Sequence, residues 1–584
     1  MSDIKHDELY DLRHSTAHLM AQAIGELYPG VKYAIGPPIE DGFYYDLDLA
    51  EPLSDAELPA IEAKMHELSK RDFAITREIM PRELARDFEL SLNQPYKVEL
   101  IDDLPAGEEI SFYRQGDWID LCRGPHVPST GKLKHFKLLH TAGAYWRGSE
   151  KNKMLTRVYG TAWHTQAELD DYLRRLEEAK LRDHRKLGKE LGLFIFASEE
   201  VGAGIPLFLP KGEMLRHTME TYVREVQTRY GYQHVWTGHL VREDLYKKSG
   251  HYDNYADVMF PPMRDEDANI NYRLKPMNCP SHMTLFNHSG LKSYRDLPLR
   301  FAEFATLYRY EKSGELNGLT RVRSLTQDDC HIFCTEDQIE SEFSLALALI
   351  REVLTRYGFT DYRVRLSMRD EKPDSKYVKD DIKWTLATDA LRRALEANEV
   401  PYYEAPGEAA FYGPKADFQT KDVLGREWTA STIQVDFIQP ERLGCEYIDS
   451  EGQKRTPVVL HRAVTGSTER FLGLLIEQYA GAFPFWLAPQ QIALIPVVER
   501  HNAHCLELKA KLLAAGFRAE VDLRNEKMGK RIRESEMQKV PVMLVVGDKD
   551  IENGTVSVRR RGEGDLGAKT FGEALAYFTE LRNA

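Results

Sequence analysis

Gln327-Asp328-Asp329-Cys330-His331-Ile332-Phe333 brings two carboxylates, a thiol and an imidazole together just ahead of an apolar pair. Two distant stretches complement it: Lys275-Pro276-Met277-Asn278-Cys279-Pro280 and Val459-Leu460-His461-Arg462-Ala463. Cys279, His331 and His461 would together offer a zinc ion one thiolate and two imidazoles. That set leaves the fourth tetrahedral position open, the arrangement of a catalytic rather than a structural site. Taken alone, Cys279 would read as a small buried hydrophobe. Its surroundings change that reading. Gly466-Ser467-Thr468-Glu469-Arg470-Phe471 follows His461, and Leu299-Arg300-Phe301-Ala302-Glu303-Phe304 leads into Arg309, Glu311, Arg321 and Arg323.

A chain of 584 residues is too long for one core and implies three or four units. With 42% hydrophobic and 29% charged residues it has the composition of an ordinary soluble protein. Met1-Ser2-Asp3-Ile4-Lys5-His6-Asp7-Glu8 contains no apolar run, so no secretory signal is expected. The most apolar stretch, 471–498, is interrupted by Glu477, Gln478, Pro484 and Pro489, which argues against a membrane span. Six scattered cysteines without a disulfide-like framework suit a reducing cytoplasm. The net charge of −14 argues against indiscriminate coating of nucleic acid, yet residues 524–561 hold ten Lys and Arg against six Asp and Glu. An acidic body with a basic tail module suits a nucleic acid recognised at one defined place.

Along the chain, residues 1–164 mix helical patterns with strand-like runs such as Gly42-Phe43-Tyr44-Tyr45-Asp46-Leu47. Residues 165–191 carry Leu169, Leu173, Leu176 and Ala179 at helical spacing between charged pairs, which predicts a linker helix. Residues 192–487 alternate irregularly between strands and helices, with long loops expected around 250–285 and 309–331. Residues 488–584 open on the strand Ile492–Val498, followed by helices over 501–515 and 530–538 and strands near 518–523 and 540–546. That pattern predicts a small α/β unit with parallel pairing.

Taken together, these motifs resemble the threonyl-tRNA synthetases of class II, over essentially the whole chain. The resemblance implies an α+β multidomain protein. An N-terminal α+β editing domain would span 1–164, and a catalytic core built on an antiparallel sheet would span 192–487. An α/β anticodon-binding domain would span 488–584. It also implies that Arg309, Arg321 and Arg470 hold ATP together with Glu311 and Gln327, with Mg²⁺ accompanying the nucleotide. Such cationic groups are needed because charge develops on the phosphates during activation. Lys415 would polarise the reacting phosphate, and His251 would help deprotonate the ribose hydroxyl of tRNA(Thr). Asp329, Tyr412, Gln434 and Ser467 would bind L-threonine. A zinc ion taking amine and hydroxyl together would reject valine by roughly 10⁴ or more. Four positions depart from the family pattern. Gly238 lies where motif 1 usually has a nearby proline, Ser281 replaces a glycine, Leu325 replaces an adenine-stacking aromatic, and Thr429 replaces a glutamine.

Serine also offers an amine and a hydroxyl, and one methyl is worth only about 1–3 kcal/mol, so a hydrolytic second site is expected. His14-Ser15-Thr16-Ala17-His18 and Cys122-Arg123-Gly124-Pro125-His126 match editing motifs shared with alanyl-tRNA synthetase. Spacing of four puts His14 and His18 on one helix face, and the resemblance adds Lys97 and Asp120. By pattern alone, His14, His18, Cys122 and His126 also look like a zinc set; the family implies a metal-free pocket. Asp522-Leu523-Arg524-Asn525-Glu526-Lys527 resembles the shared anticodon-binding domain, with Asn525, Asp550 and Arg559 as base-reading candidates. A homodimer in the cytoplasm follows from the resemblance. So does the absence of the small ubiquitin-like domain that many relatives carry, since the editing motifs already begin at His14. The rival from another class is a non-catalytic RNA-binding regulator derived from a synthetase, which loss of an ATP-site arginine or a zinc ligand would favour.

Overall fold

The computed structural model describes residues 9–370, 376–422 and 425–584; the first eight residues, read above for a signal, lie outside it. The chain divides into two compact units, 1–177 and 178–584. The residues expected as catalytic core and anticodon module thus fall within one unit. The first division lies inside the helix Gln166–Arg182.

In the first unit, the helix Tyr10–Leu27 packs with Leu58–Lys70 against the strands Gly42–Asp48, Met154–Trp163 and His135–Tyr145. Their apolar faces meet in a core that includes Leu19, Met20, Ile24, Phe43, Leu47 and Phe136. A second sheet, Ile75–Met80, Ile110–Gln115 and Trp118–Leu121, is antiparallel throughout.

The stretch expected as one linker helix is two, Gln166–Arg182 and His184–Leu191. Asp183 breaks the run: its backbone is non-helical and its carboxylate accepts the Arg185 N–H. A short acidic side chain favours such a cap over a helix interior, where it competes with the backbone.

The second unit is built on eight strands in the spatial order Gln233–His234, Leu299–Tyr308, Ser324–Cys334, Val458–Ala463, Glu427–Asp436, Lys415–Lys421, Tyr362–Met368, Tyr402–Pro406. The five interior pairings are antiparallel and the two edge pairings parallel. One face is covered by core that includes Cys330, Ile332, Cys334, Ile433, Val435 and Leu460. The helices Pro210–Arg229, Ile339–Arg356, Asp381–Ala397 and Thr468–Gln478 contribute to the same core. The other face carries His331 and His461, with Phe301, Phe333 and Val459 beside them packed against Met283 and Phe286.

Two expectations are corrected here. The segment 309–331 is not all loop, because Ser324–Cys334 is a central strand. Its polar residues at 327, 329 and 331 disguise a period of two whose other members, Cys330, Ile332 and Cys334, are fully buried. The last five-stranded sheet is mixed rather than parallel, since Thr555–Arg560 pairs antiparallel with Val542–Val546 and Gly564–Thr570 antiparallel with Thr555–Arg560. Arg559 and Arg560 therefore sit in a strand and not in a solvated loop.

Candidate active site

Strand register assembles the site. His331 lies opposite His461, His461 opposite Gln434, and Gln434 opposite Lys415, on four neighbouring strands. Directly opposed residues share a face of a sheet, so these four form one row. Asp329 and Gln327 extend the same face along the His331 strand, two and four residues away. Cys279 joins from the first turn of the helix Cys279–His288. A cavity of about 330 Å³ is lined by Cys279, Asp329, His331, His461, Tyr412 and Gln434. A second, of about 360 Å³, is lined by Glu311, Arg321, Leu325, Thr429, Ser467 and Arg470. Arg309, Gln327 and Lys415 line both, so the two adjoin.

The three candidate metal ligands bring their donor atoms within 4.8 Å of one another. His331 Nδ1 is bound by His282 Nδ1 at 2.8 Å, while His331 Nε2 is buried without a hydrogen-bond partner. A buried ring nitrogen without a partner is costly unless something occupies that direction. His461 Nε2 is held by Asp436 at 2.9 Å, which orients the ring and leaves Nδ1 as its donor. These residues fit a tetrahedral cation with one open position. Sequence reasoning missed His282 and Asp436, since neither lies in a motif and each is identified only by what it orients.

His251 is not at the cavity wall. It is fully buried, with Nδ1 on the Ser249 hydroxyl at 2.8 Å and Nε2 facing Cys279 Sγ at 3.4 Å. The proton-accepting role expected on a ribose hydroxyl is therefore not supported by its position.

The second cavity gathers positive charge. Arg309 contacts Pro276 O and Met277 Sδ and has no carboxylate partner among the described residues. Arg321 is paired with Glu311 at 2.9 Å and Glu315 at 3.0 Å. Burial, then the guanidiniums of Arg309 and Arg321, pull the Arg470 pKa below its ordinary value. Like charges forced together in a partly buried cleft define a place for a polyanion. Lys415 stands 2.9 Å from Asp417, and Ser467 caps the Thr468–Gln478 helix by accepting the Arg470 N–H.

In the first unit His14, His18, Cys122 and His126 also converge. Burial pushes the Cys122 thiol up to about 12 and lowers His14 to about 4 and His126 to about 2. His14 Nδ1 faces Pro125 O at 3.2 Å, which only accepts. The Ser15 hydroxyl gives its proton to Asp11 O, so it accepts from His126 Nδ1 at 3.0 Å. Both rings thus turn an Nε2 lone pair toward Cys122 Sγ, each at 3.2 Å. Beside them Lys97 and Asp120 form a buried pair at 2.7 Å. The Tyr45 hydroxyl bonds both Asp120 and Lys97. Tyr45 gave no sequence signal, because a tyrosine in an apolar strand reads as core.

Of the anticodon candidates, Asn525 is exposed. Asp550 is occupied, accepting from Gly547 N, Thr555 Oγ1 and Ser557 Oγ. Arg559 lies 3.8 Å from Asp565.

A largely antiparallel sheet carrying a partly buried arginine cluster beside a row of metal-type ligands defines a class II aminoacyl-tRNA synthetase. Residues 263–479 match the tRNA synthetase class II core domain (G, H, P, S and T). Residues 491–581 match the anticodon binding domain, and 110–159 the threonyl and alanyl tRNA synthetase second additional domain. The chain is 65% identical to a threonine–tRNA ligase of Rubrobacter xylanophilus, over 95% of this chain and 86% of that protein. It is 52% identical to a threonine–tRNA ligase of Thermus thermophilus, over 95% and 86%. Among solved structures it resembles the RNA-binding domain of threonyl-tRNA synthetase from Cryptosporidium parvum, with TM-score 0.65 and 36% identity, over 68% of this chain and 98% of that one. The chain belongs to the threonine–tRNA ligase family.

Proposed function

We propose that this protein activates L-threonine with ATP and Mg²⁺, transfers it to the 3′ end of tRNA(Thr), and hydrolyses mischarged seryl-tRNA(Thr) in the first unit. The observation that carries this reading is the single row His331–His461–Gln434–Lys415, which leads from the metal-type ligands to the arginine cluster. Along that row an amino acid would lie with its side chain toward Cys279, His331 and His461 and its carboxylate toward Arg309. Asp329 would take the ammonium, with Tyr412 and Gln434 closing the pocket. Arg309, Arg321 and Arg470 would bind the phosphates, and Lys415 would approach the α-phosphate as negative charge grows there. Gln327 and Glu311 would line the nucleotide. Zinc held by Cys279, His331 and His461 would supply a Lewis-acid contact that tells a hydroxyl from a methyl.

In the first unit His14 and His126 would line the pocket in which a water attacks the ester. Lys97 and Asp120 fix the wall of the pocket, and His18 and Cys122 complete it, without need of a metal. Asn525 and Arg559 would meet the anticodon bases, and Asp550 would do so after exchanging its backbone cap. Trp236 and Leu240, 73% and 53% exposed beside Gly238 of motif 1, support a homodimer. Six free thiols are consistent with a cytoplasmic setting. Among the described residues no helix is long and apolar enough to cross a membrane. Retention of Arg309, Arg470 and all three metal-type ligands favours catalysis over RNA binding alone.

The test is amino-acid-dependent pyrophosphate exchange with threonine, serine and valine on protein of known zinc content. Exchange with threonine, weaker exchange with serine and none with valine is expected, and Cys279→Ala should lose both the zinc and the exchange. Zinc-loaded protein that gives no exchange with threonine would overturn the ligase reading.

A further inference from the structure

His184 is 3% exposed and lies outside both cavities, at the first position of the helix His184–Leu191. Its two ring nitrogens join two elements far apart in the chain. Nδ1 lies 2.7 Å from the Glu477 carboxylate, on the helix Thr468–Gln478 that also carries Arg470. Nε2 lies 3.0 Å from the backbone nitrogen of Leu319. A backbone N–H only donates, so Nε2 must keep its lone pair, and the ring proton sits on Nδ1, where Glu477 accepts it. The two contacts fix one tautomer.

Leu319 belongs to a tight turn. Thr320 and Arg321 donate their N–H groups to Asn317 O at 2.9 and 3.2 Å, and Asn317 N–H returns to Arg321 O at 3.2 Å. Thr320 O accepts from Arg470 Nε at 3.1 Å, and Arg321 points into the arginine-lined cavity. The preceding Gly318 has φ +46°, and a Cβ there would stand 2.2 Å from His184 Nε2. The ring thus seats against a turn that admits no side chain at that point. Glu477 and Arg470 are seven residues apart, two helical turns, and therefore on one face.

We infer that His184 is a positioning residue for the nucleotide site: it clamps the 317–321 turn to the helix bearing Arg470 and so sets the spacing between Arg321 and Arg470. This rests on reading that cavity as the ATP site. His184 itself touches neither nucleotide nor amino acid. Without the clamp the turn keeps its internal bonds and the Arg470–Thr320 bond but loses the link through His184 to Glu477, and ATP must order it on binding.

Two variants separate the ring's two bonds, because the amide of Asn reaches about as far as Nδ1 and the carbonyl of Gln about as far as Nε2. His184→Asn keeps the Glu477 bond and loses the Leu319 bond; His184→Gln does the reverse. The full-length protein and both variants would be compared by calorimetric ATP–Mg²⁺ affinity and by KM for ATP and for threonine in pyrophosphate exchange. Each variant cuts the link at one end, so both should weaken ATP about three- to tenfold, the loss of one hydrogen bond. The KM for threonine should stay within about twofold in both. Wild-type ATP affinity in either variant, or losses shared equally between ATP and threonine, would overturn the inference. If His184→Asn does not fold, Glu477→Ala frees the tautomer and should weaken ATP in the same assays; unchanged affinity would overturn it. Absence of exchange in the wild type would strike the ligase reading instead, leaving His184 to be judged on calorimetric ATP affinity.

Discussion

Glu89 faces a cavity of about 600 Å³ that is also lined by Asp120, Trp118 and Tyr33. It is 3% exposed, and among the described residues no hydrogen bond or ion pair reaches its carboxyl group. Burial, then the neighbouring Asp120 charge, raise its pKa from 4.5 to about 8. A folded pKa above the unfolded one means that the folded state holds the proton more tightly. The stability this confers is complete below about 4.5 and is lost as pH rises toward about 8. The loss is on the order of 5 kcal/mol at its largest. Glu89→Gln, neutral at every pH, should therefore match the wild type near pH 4.5 and melt progressively higher than it up to pH 8. Parallel melting curves of the two proteins across that range would show that Glu89 is not a buried acid. Nothing in the sequence marks it, since Phe88-Glu89-Leu90 reads as an ordinary stretch of amphipathic helix.

At the scale of elements, the site face of the large sheet is held from behind by Asp328. One oxygen accepts from Gln227 Nε2 at 2.7 Å, tying the helix Pro210–Arg229 to the strand Ser324–Cys334. The other accepts from Val464 N at 3.0 Å and Thr465 N at 3.3 Å, and lies 3.8 Å from the buried Arg462 guanidinium. Arg462 also rests on the Tyr232 ring, 4.5 Å from its centroid. Removing one partner of a buried pair leaves the other charge uncompensated, at about 3–5 kcal/mol. Asp328→Ala should lower the unfolding free energy of the second unit by that order in urea while leaving the first unit's transition in place. A loss under about 1 kcal/mol would mean that the network does not hold the sheet. The sequence displayed Asp328 and Asp329 as twins; strand alternation alone sends one to the substrate face and the other into the core.

For the whole molecule, the sites proposed for synthesis and for editing lie in separate compact units. Asp120→Asn should therefore leave threonine-dependent exchange within about twofold of wild type. Deacylation of seryl-tRNA should fall by about 10² or more, the scale of a disturbed acid–base site, so that serine accumulates on tRNA(Thr). Exchange that fell in step with deacylation would mean that the two functions are not separable.

Residue order alone was enough for the family and for the residues that gather at its candidate sites: the metal-type triad, the arginines lining one cavity and the His/Cys motifs of the first unit. These are carried by residue types at short fixed spacings, and chemistry constrains them directly. It also carried the core strands wherever alternation was apolar. How these parts combine was settled by the folded chain. Strand register set His331, His461, Gln434 and Lys415 in one row, and burial turned His251 away from the cavity. Residues without a motif were recruited the same way: His282 and Asp436 to orient ligands, Tyr45 to bridge Lys97 and Asp120, and His184 to clamp a turn. Their roles depend on contacts between residues tens to hundreds of positions apart, as His184 and Leu319 are, and no local pattern encodes such contacts.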